Sequence, residues 1–144
     1  MIDENDVYRI YDKFGIKDTN IVIEEFDKII KEDSVSSVIK SKAYCGIGDV
    51  IAFLEPELHD DCGYEYYKKA LEYDEDNLDA RVGICVIFDQ YPAPKYNVIT
   101  EEEYLEHLQI LINKFDKITD ENKRSNIIQL MKNLVEYRLK MISQ

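Results

Sequence analysis

An internal repeat restricts the possible folds of this chain more than any other feature. The segment Ala43–Gly48 (AYCGIG) recurs 37 residues later as Ala80–Cys85 (ARVGIC). Each copy has Ala, then Gly after three positions, Ile after four and a small residue after five, and a large apolar residue, Ile51 or Phe88, follows after eight. These spacings place the shared residues on one face of a helix. A repeat of this length in a helical sequence is typical of stacked helical hairpins.

Helical periodicity continues on both sides of the repeat and is rarely interrupted, because the chain has only 5 Gly and 3 Pro in 144 residues. No run of alternating apolar residues is bounded by turns on both sides. The pattern predicts an all-α fold with about seven helices. Caps and breakers set their limits: Asp3 or Asn5 to Gly15, Asp18–Asn20 through Ile30, Ser37 to Leu54, Asp60 or Asp61 to Tyr73, Asn77 to Gln90, the capping box Thr100–Glu103 through Ile118, and Thr119 or Asp120 through Leu139.

A chain of this length can bury a core without disulfides or metal ions, and we expect a single domain, residues 1–144. It divides into an N-terminal helix pair at 1–35, a repeat core at 36–90 and a C-terminal hairpin at 100–144. The proline-containing segment 91–99 is the predicted irregular connection. The predicted core face of the last two helices consists of Leu105, Leu108, Leu111, Ile112, Phe115 and Ile118, and of Ile127, Ile128, Met131, Leu134, Val135 and Leu139.

The helix between the two copies has a small–aromatic–small pattern. Its residues on one face are Gly63, Tyr67, Ala70 and Tyr73. With this pattern, residues 40–90 resemble a tetratricopeptide (TPR) repeat. The resemblance implies antiparallel helical hairpins in a right-handed superhelix or bundle, with Tyr67 and Tyr73 in the core. The sequence departs from the family at Glu75, where the family has a turn proline, and in the loop Glu55–Asp60, which is longer than in the family.

The TPR resemblance also implies a binding surface, because such modules mostly bind proteins or peptides on the concave face that their first helices line. Carried over by position, the residues of that face are Lys42, Cys45, Asp49, Ala52, Phe53, Asp79, Val82, Val86, Asp89 and Gln90. Among them we take Asp49, Phe53, Asp79 and Asp89 as candidate contacts. The mixed apolar and acidic lining favours a basic or amphipathic ligand over a carboxylate.

The chain is strongly acidic, and the acids are unevenly distributed. Its 30 acidic and 18 basic residues give a net charge of -12, and the stretch from Glu55 to Asp79 holds ten acids against only Lys68 and Lys69. Nucleic acids and anionic membranes are therefore not expected partners, because both attract cationic surfaces. The stretch is either a solvated surface or a face for a basic protein. Its candidate contacts are Asp60, Asp61, Glu65, Asp74, Glu75, Asp76 and Asp79.

No pattern in the sequence indicates catalysis or metal binding. The run His59–Cys62 (HDDC) contains metal-binding residue types, but consecutive side chains at a helix start point apart, whereas zinc ligands must converge. No glycine-rich loop is followed by the Lys-Ser or Lys-Thr pair of a phosphate-binding motif. We therefore expect no catalytic residue, no metal and no cofactor.

Cysteine usage and the N-terminus predict a cytoplasmic protein. Cys45, Cys62 and Cys85 are odd in number and show no CxxC spacing, which favours reduced thiols. The first residues lack a basic segment followed by an apolar run, so we expect no secretory signal. No apolar run approaches the roughly 18 residues of a membrane span.

Together, these features favour a non-enzymatic protein-interaction module. The leading hypothesis is an immunity protein that binds and neutralises a basic toxin, such as a nuclease. The alternative is a TPR-like adaptor or secretion chaperone that binds an amphipathic peptide segment. The oligomeric state is left open.

Overall fold

A computed structural model describes residues 1–90 and 99–143, which form seven α-helices and two short 3₁₀ turns and contain no β-strand. The helices are α1 (Glu4–Tyr11), α2 (Thr19–Ile30), α3 (Ser37–Leu54), α4 (Tyr64–Tyr73), α5 (Leu78–Gln90), α6 (Glu101–Lys114) and α7 (Glu121–Ile142). The 3₁₀ turns span Pro56–Leu58 and Phe115–Lys117. The prediction of an all-α fold with about seven helices is confirmed. The predicted irregular connection, apart from Ile99, lies outside the described residues.

Polar caps fix most helix starts where the sequence predicts them. The side chains of Asp3, Asp18, Thr100 and Asp120 each accept a backbone N–H in the first turn of α1, α2, α6 and α7. Such caps satisfy backbone donors that have no partner inside the helix.

Helix α4 starts about three residues after the predicted position. The ends of a helix are the part that a sequence pattern locates least accurately. Cys62 and Gly63 have φ angles of 56° and 96°, and this left-handed turn delays the helix until Tyr64. Asp61 still acts as a cap, because its carboxylate accepts the N–H groups of Gly63 and Glu65, each at 3.0 Å.

The helices pack as hairpins stacked side by side. Each odd-numbered helix contacts the next odd-numbered one, so α1, α3, α5 and α7 form one side of the molecule. Each of α2, α4 and α6 contacts the odd-numbered helices before and after it in the chain. This contact order is the one expected of stacked helical hairpins; the handedness of the stack stays a prediction.

The internal repeat corresponds to a repeated contact between an aromatic ring and a glycine. Tyr67 of α4 is fully buried, and a Cβ atom on Gly83 of α5 would lie only 2.3 Å from its Cζ atom. One hairpin earlier, a Cβ atom on Gly46 of α3 would lie 2.4 Å from Cζ of Phe26 in α2. Gly46 and Gly83 are the equivalent glycines of the two copies, so the sequence repeat records the same close helix contact twice.

A second glycine closes the space around Tyr67. A Cβ atom on Gly48 of α3 would lie 2.8 Å from Cε1 of the same ring. Tyr67 is therefore held between α3 and α5, with a glycine on each side. The predicted core position of Tyr67 is confirmed, and the missing side chains of Gly48 and Gly83 leave the space that its ring fills.

Parts of the predicted core faces are wrong. Tyr73, the last residue of α4, is 40% exposed and stacks on Tyr44 with ring centroids 5.3 Å apart. On the last two helices, Leu108, Leu111, Ile118 and Ile127 are buried as predicted, and the exposed members of the predicted faces are Ile112, Ile128, Met131, Val135 and Leu139. Within the described residues α7 packs mainly against α5 and α6, so it buries one narrow stripe that contains Ile127 and Leu130.

The fit of Tyr67 against glycine predicts the effect of Gly83→Ala. Alanine has the higher helix propensity by about 1 kcal/mol, but here its methyl group overlaps the Tyr67 ring. We expect the free energy of unfolding to fall by about 1–3 kcal/mol in urea denaturation. The control Asn126→Ala, at an exposed position in α7, should show no loss. Equal stability of Gly83→Ala and the native protein would contradict the close contact.

Candidate functional site

The predicted acidic contacts lie near both ends of α4. Asp60 and Asp61 lie before the N-terminus of α4, whereas Asp74, Glu75 and Asp76 follow its C-terminus. The ten residues of α4 span about 15 Å, so the length of the helix separates the two groups. The acidic stretch of the sequence thus divides between two ends of the hairpin.

Several of these acids already have partners within the chain. Besides Asp61, the carboxylate of Asp74 accepts the Asp76 N–H, Asp76 pairs with Lys114 at 2.9 Å, and Asp79 pairs with Lys123 at 3.5 Å. Asp60, Glu65 and Glu75 are exposed to solvent. Part of the acidic excess therefore serves as helix caps and surface ion pairs.

The candidate contacts of the predicted concave face, Asp49, Phe53, Asp79 and Asp89, lie in three different places. Asp49 and Asp79 line the same pocket on the side of the odd-numbered helices. Asp89 lies near the C-terminus of α5, where it accepts a hydrogen bond from Asn133 of α7 at 3.0 Å. Phe53 is 53% exposed near the end of α3.

A cleft lined by five glutamates lies between α4 and α6. This α4–α6 cleft has a volume of about 560 Å³ and is lined by Lys68, Leu71, Glu72, Glu75, Arg81, Thr100, Glu102, Glu103, Glu106 and His107. Five glutamates face two cationic side chains in it. Of the cleft glutamates, only Glu75 is among the predicted contacts, because the first turn of α6 is predicted only as a capping box. The fold brings that turn next to α4.

A hydrogen-bonded network forms the wall of the cleft. The Tyr64 hydroxyl donates to the Glu103 carboxylate at 2.6 and 2.7 Å, and that carboxylate lies 3.3 Å from Nε2 of His107. Arg81 donates to Nδ1 of His107 at 3.1 Å and to the Glu75 carbonyl at 2.9 Å. Glu103 therefore does not complete the predicted capping box with Thr100; its carboxylate connects α6 to α4.

The network is structural in character. Burial lowers the pKa of His107, and the Glu103 carboxylate opposes this shift. Because Arg81 is a donor only, Nδ1 of His107 must accept, and Nε2 carries the proton toward Glu103. Both ring nitrogens thus have a partner within the chain. Within residues 1–90 and 99–143, no group of three or more His, Cys, Asp or Glu side chains is placed to hold a metal ion.

A smaller pocket lies among α1, α3 and α5. This Asp49 pocket has a volume of about 210 Å³ and is lined by Val7, Tyr8, Tyr11, Lys42, Cys45, Asp49, Asn77 and Asp79. The Asp49 carboxylate accepts the hydroxyl of Tyr11 at 2.5 Å and that of Tyr67 at 2.6 Å. Burial raises the pKa of Asp49 to about 6, although both hydrogen bonds act in the opposite direction.

No family model, no curated protein and no solved structure matches this chain. The proposed function is therefore derived from the sequence and geometry of this chain. Among the described helices, none combines the length and the apolar character that crossing a membrane requires.

The burial of Asp49 predicts a pH-dependent effect of Asp49→Asn. The native carboxyl has a pKa of about 6 in the folded protein, against an ordinary value of 3.8. Its ionised form therefore destabilises the fold above pH 6, and this penalty disappears as the pH falls toward 4. Asparagine can accept from one tyrosine and donate to the other without a charge. We expect Asp49→Asn to be more stable than the native protein by about 1–2 kcal/mol at pH 7.5, with the difference vanishing near pH 4.

Chemical denaturation at a series of pH values measures this difference. The control Asp33→Asn changes an exposed carboxylate in the turn after α2, and its profile should parallel that of the native protein. If the pH profile of Asp49→Asn also parallels that of the native protein, the ionised Asp49 carboxylate does not destabilise the fold.

Proposed function

We propose that this chain is a non-enzymatic interaction module that binds a basic protein. The observation that carries the proposal is the α4–α6 cleft, where five glutamates oppose Lys68 and Arg81 in a chain of net charge -12. A concave surface with one dominant sign of charge concentrates and orients a partner of the opposite sign.

The charges of the cleft are available to a partner. Glu72, Glu75, Glu102 and Glu106 are exposed, and among the described residues none of the four forms an ion pair. Asp76 and Asp79 in contrast already pair with lysines of the chain. A basic segment in the cleft therefore gains new ion pairs without breaking existing ones.

The specific form of the proposal is an immunity protein that acts in the cytoplasm and neutralises a basic toxin. A nuclease toxin must be cationic where it holds nucleic acid, so an acidic cleft can cover that surface and compete with the substrate. Small size and the acidic character of the chain and of its cleft support this form.

A matched pair of triple variants tests the proposal. The cleft variant carries Glu72→Lys, Glu102→Lys and Glu106→Lys, and the control carries the same charge change at the exposed acids Glu24, Asp33 and Asp116. The partner is isolated from the native host at low salt, purified and titrated against each variant at several salt concentrations. We expect the cleft variant to bind at least 100-fold more weakly, about 2.7 kcal/mol, and with a weaker dependence on salt.

The control should bind within a few-fold of the native protein. Equal affinities of the two triple variants, or a purified partner without a basic surface, would overturn the proposal. If the partner is a nuclease, the cleft variant should inhibit its activity much less than the native protein does, and the control variant should inhibit it almost as well.

An adaptor or secretion chaperone is the second candidate, and the exposed Phe53 on the predicted inner surface favours it. An amphipathic peptide would contact Phe53 and Val86 through apolar surface. In that case Phe53→Ala and Val86→Ala would weaken binding at all salt concentrations, and the cleft variant would not.

A further inference from the structure

The Asp49 pocket holds a negative charge without a cation of its own. No described side chain forms an ion pair with Asp49, and the two hydroxyl groups that donate to it are neutral. Lys42 lines the same pocket but pairs with Glu4 at 3.4 Å. The half-buried carboxylate is therefore stabilised by two hydrogen bonds but has no cationic partner in the free protein.

The walls of the pocket suit a long cationic side chain. Tyr8 and Tyr11 supply ring surface on which an alkyl stem can pack, and aromatic faces attract cations. Asp79 adds a second carboxylate at the rim. Its pairing with Lys123 at 3.5 Å is half exposed, and surface pairs of that kind contribute little and exchange readily.

The size of the pocket limits what it can hold. Its 210 Å³ is below the roughly 300–1,000 Å³ of sites for drug-sized ligands. It also lies on the side of the odd-numbered helices, whereas the α4–α6 cleft is formed mainly by even-numbered ones. The two sites are therefore separate in the fold.

We propose that the Asp49 pocket binds one lysine or arginine side chain of the basic partner, with its charged group at Asp49 and Asp79 and its stem against Tyr8 and Tyr11. This inference rests on the proposed function. Each Asp49 oxygen accepts one tyrosine hydroxyl and keeps a further lone pair for an incoming N–H donor. Binding replaces the missing counter-ion of the buried carboxylate.

Small probes test the pocket without the partner. N-acetyl-arginine methylamide, N-acetyl-lysine methylamide and the uncharged citrulline analogue are titrated into ¹⁵N-labelled protein at pH 8 and pH 5, and amide shifts are followed around Asp49, Tyr11 and Asp79. We expect millimolar binding of the cationic probes at pH 8 and none of the citrulline analogue. The tighter of the two cationic probes identifies the preferred side chain.

Variants locate the binding in the pocket. Asp49→Asn should weaken binding of the cationic probe at least tenfold at pH 8, and Asp79→Asn should weaken it less, whereas Asp33→Asn should bind as the native protein does. The affinity should also fall severalfold or more from pH 8 to pH 5, as the Asp49 carboxyl takes up its proton.

Three results would overturn the inference: equal binding of the citrulline analogue, unchanged binding by Asp49→Asn, or no binding of either cationic probe to the native protein. The probe experiment does not depend on the cleft, so its failure leaves the proposed function standing. Conversely, if the cleft variant binds the partner as well as the control does, the proposed function fails but the probe result is unaffected.

Discussion

The position of the Tyr67 ring connects the core of this protein to its surface chemistry. The ring fits between α3 and α5 only because Gly48 and Gly83 have no side chain there. Its hydroxyl then reaches Asp49 at 2.6 Å, and the same carboxylate accepts Tyr11 from α1. One close-packed aromatic residue of α4 thus fixes the distance between two helices and also orients the charge in the pocket that they form with α1.

Much of this arrangement is readable from the sequence, because it follows from local rules. The spacing of Ala, Gly and Ile in the repeat predicts that these residues share one helix face, and the TPR resemblance implies a core position for Tyr67. The caps at Asp3, Asp18, Thr100 and Asp120 set helix starts by short-range hydrogen bonds. Such signals depend only on neighbours along the chain.

The sites were harder to predict because they depend on contacts between distant segments. Glu103 has a good local partner at Thr100, yet its carboxylate meets Tyr64 of a helix nearly 40 residues earlier. The same approach brings Glu102 and Glu106 into the acidic cleft. Tyr73 and Val135 are exposed for a related reason, since a periodic pattern does not show whether another helix lies opposite.

The two acidic sites hold their charges in different surroundings. The glutamates of the cleft are mostly exposed, so salt screens them, whereas Asp49 is half-buried and screened less. Under the two proposals, the cleft acts over a distance on the rate and orientation of encounter with the basic partner. The pocket, on another side of the fold, acts only on a cationic side chain that enters it. Keeping Asp49 ionised destabilises the free protein. A cation that binds at Asp49 would remove this destabilisation, which would add to the free energy of binding.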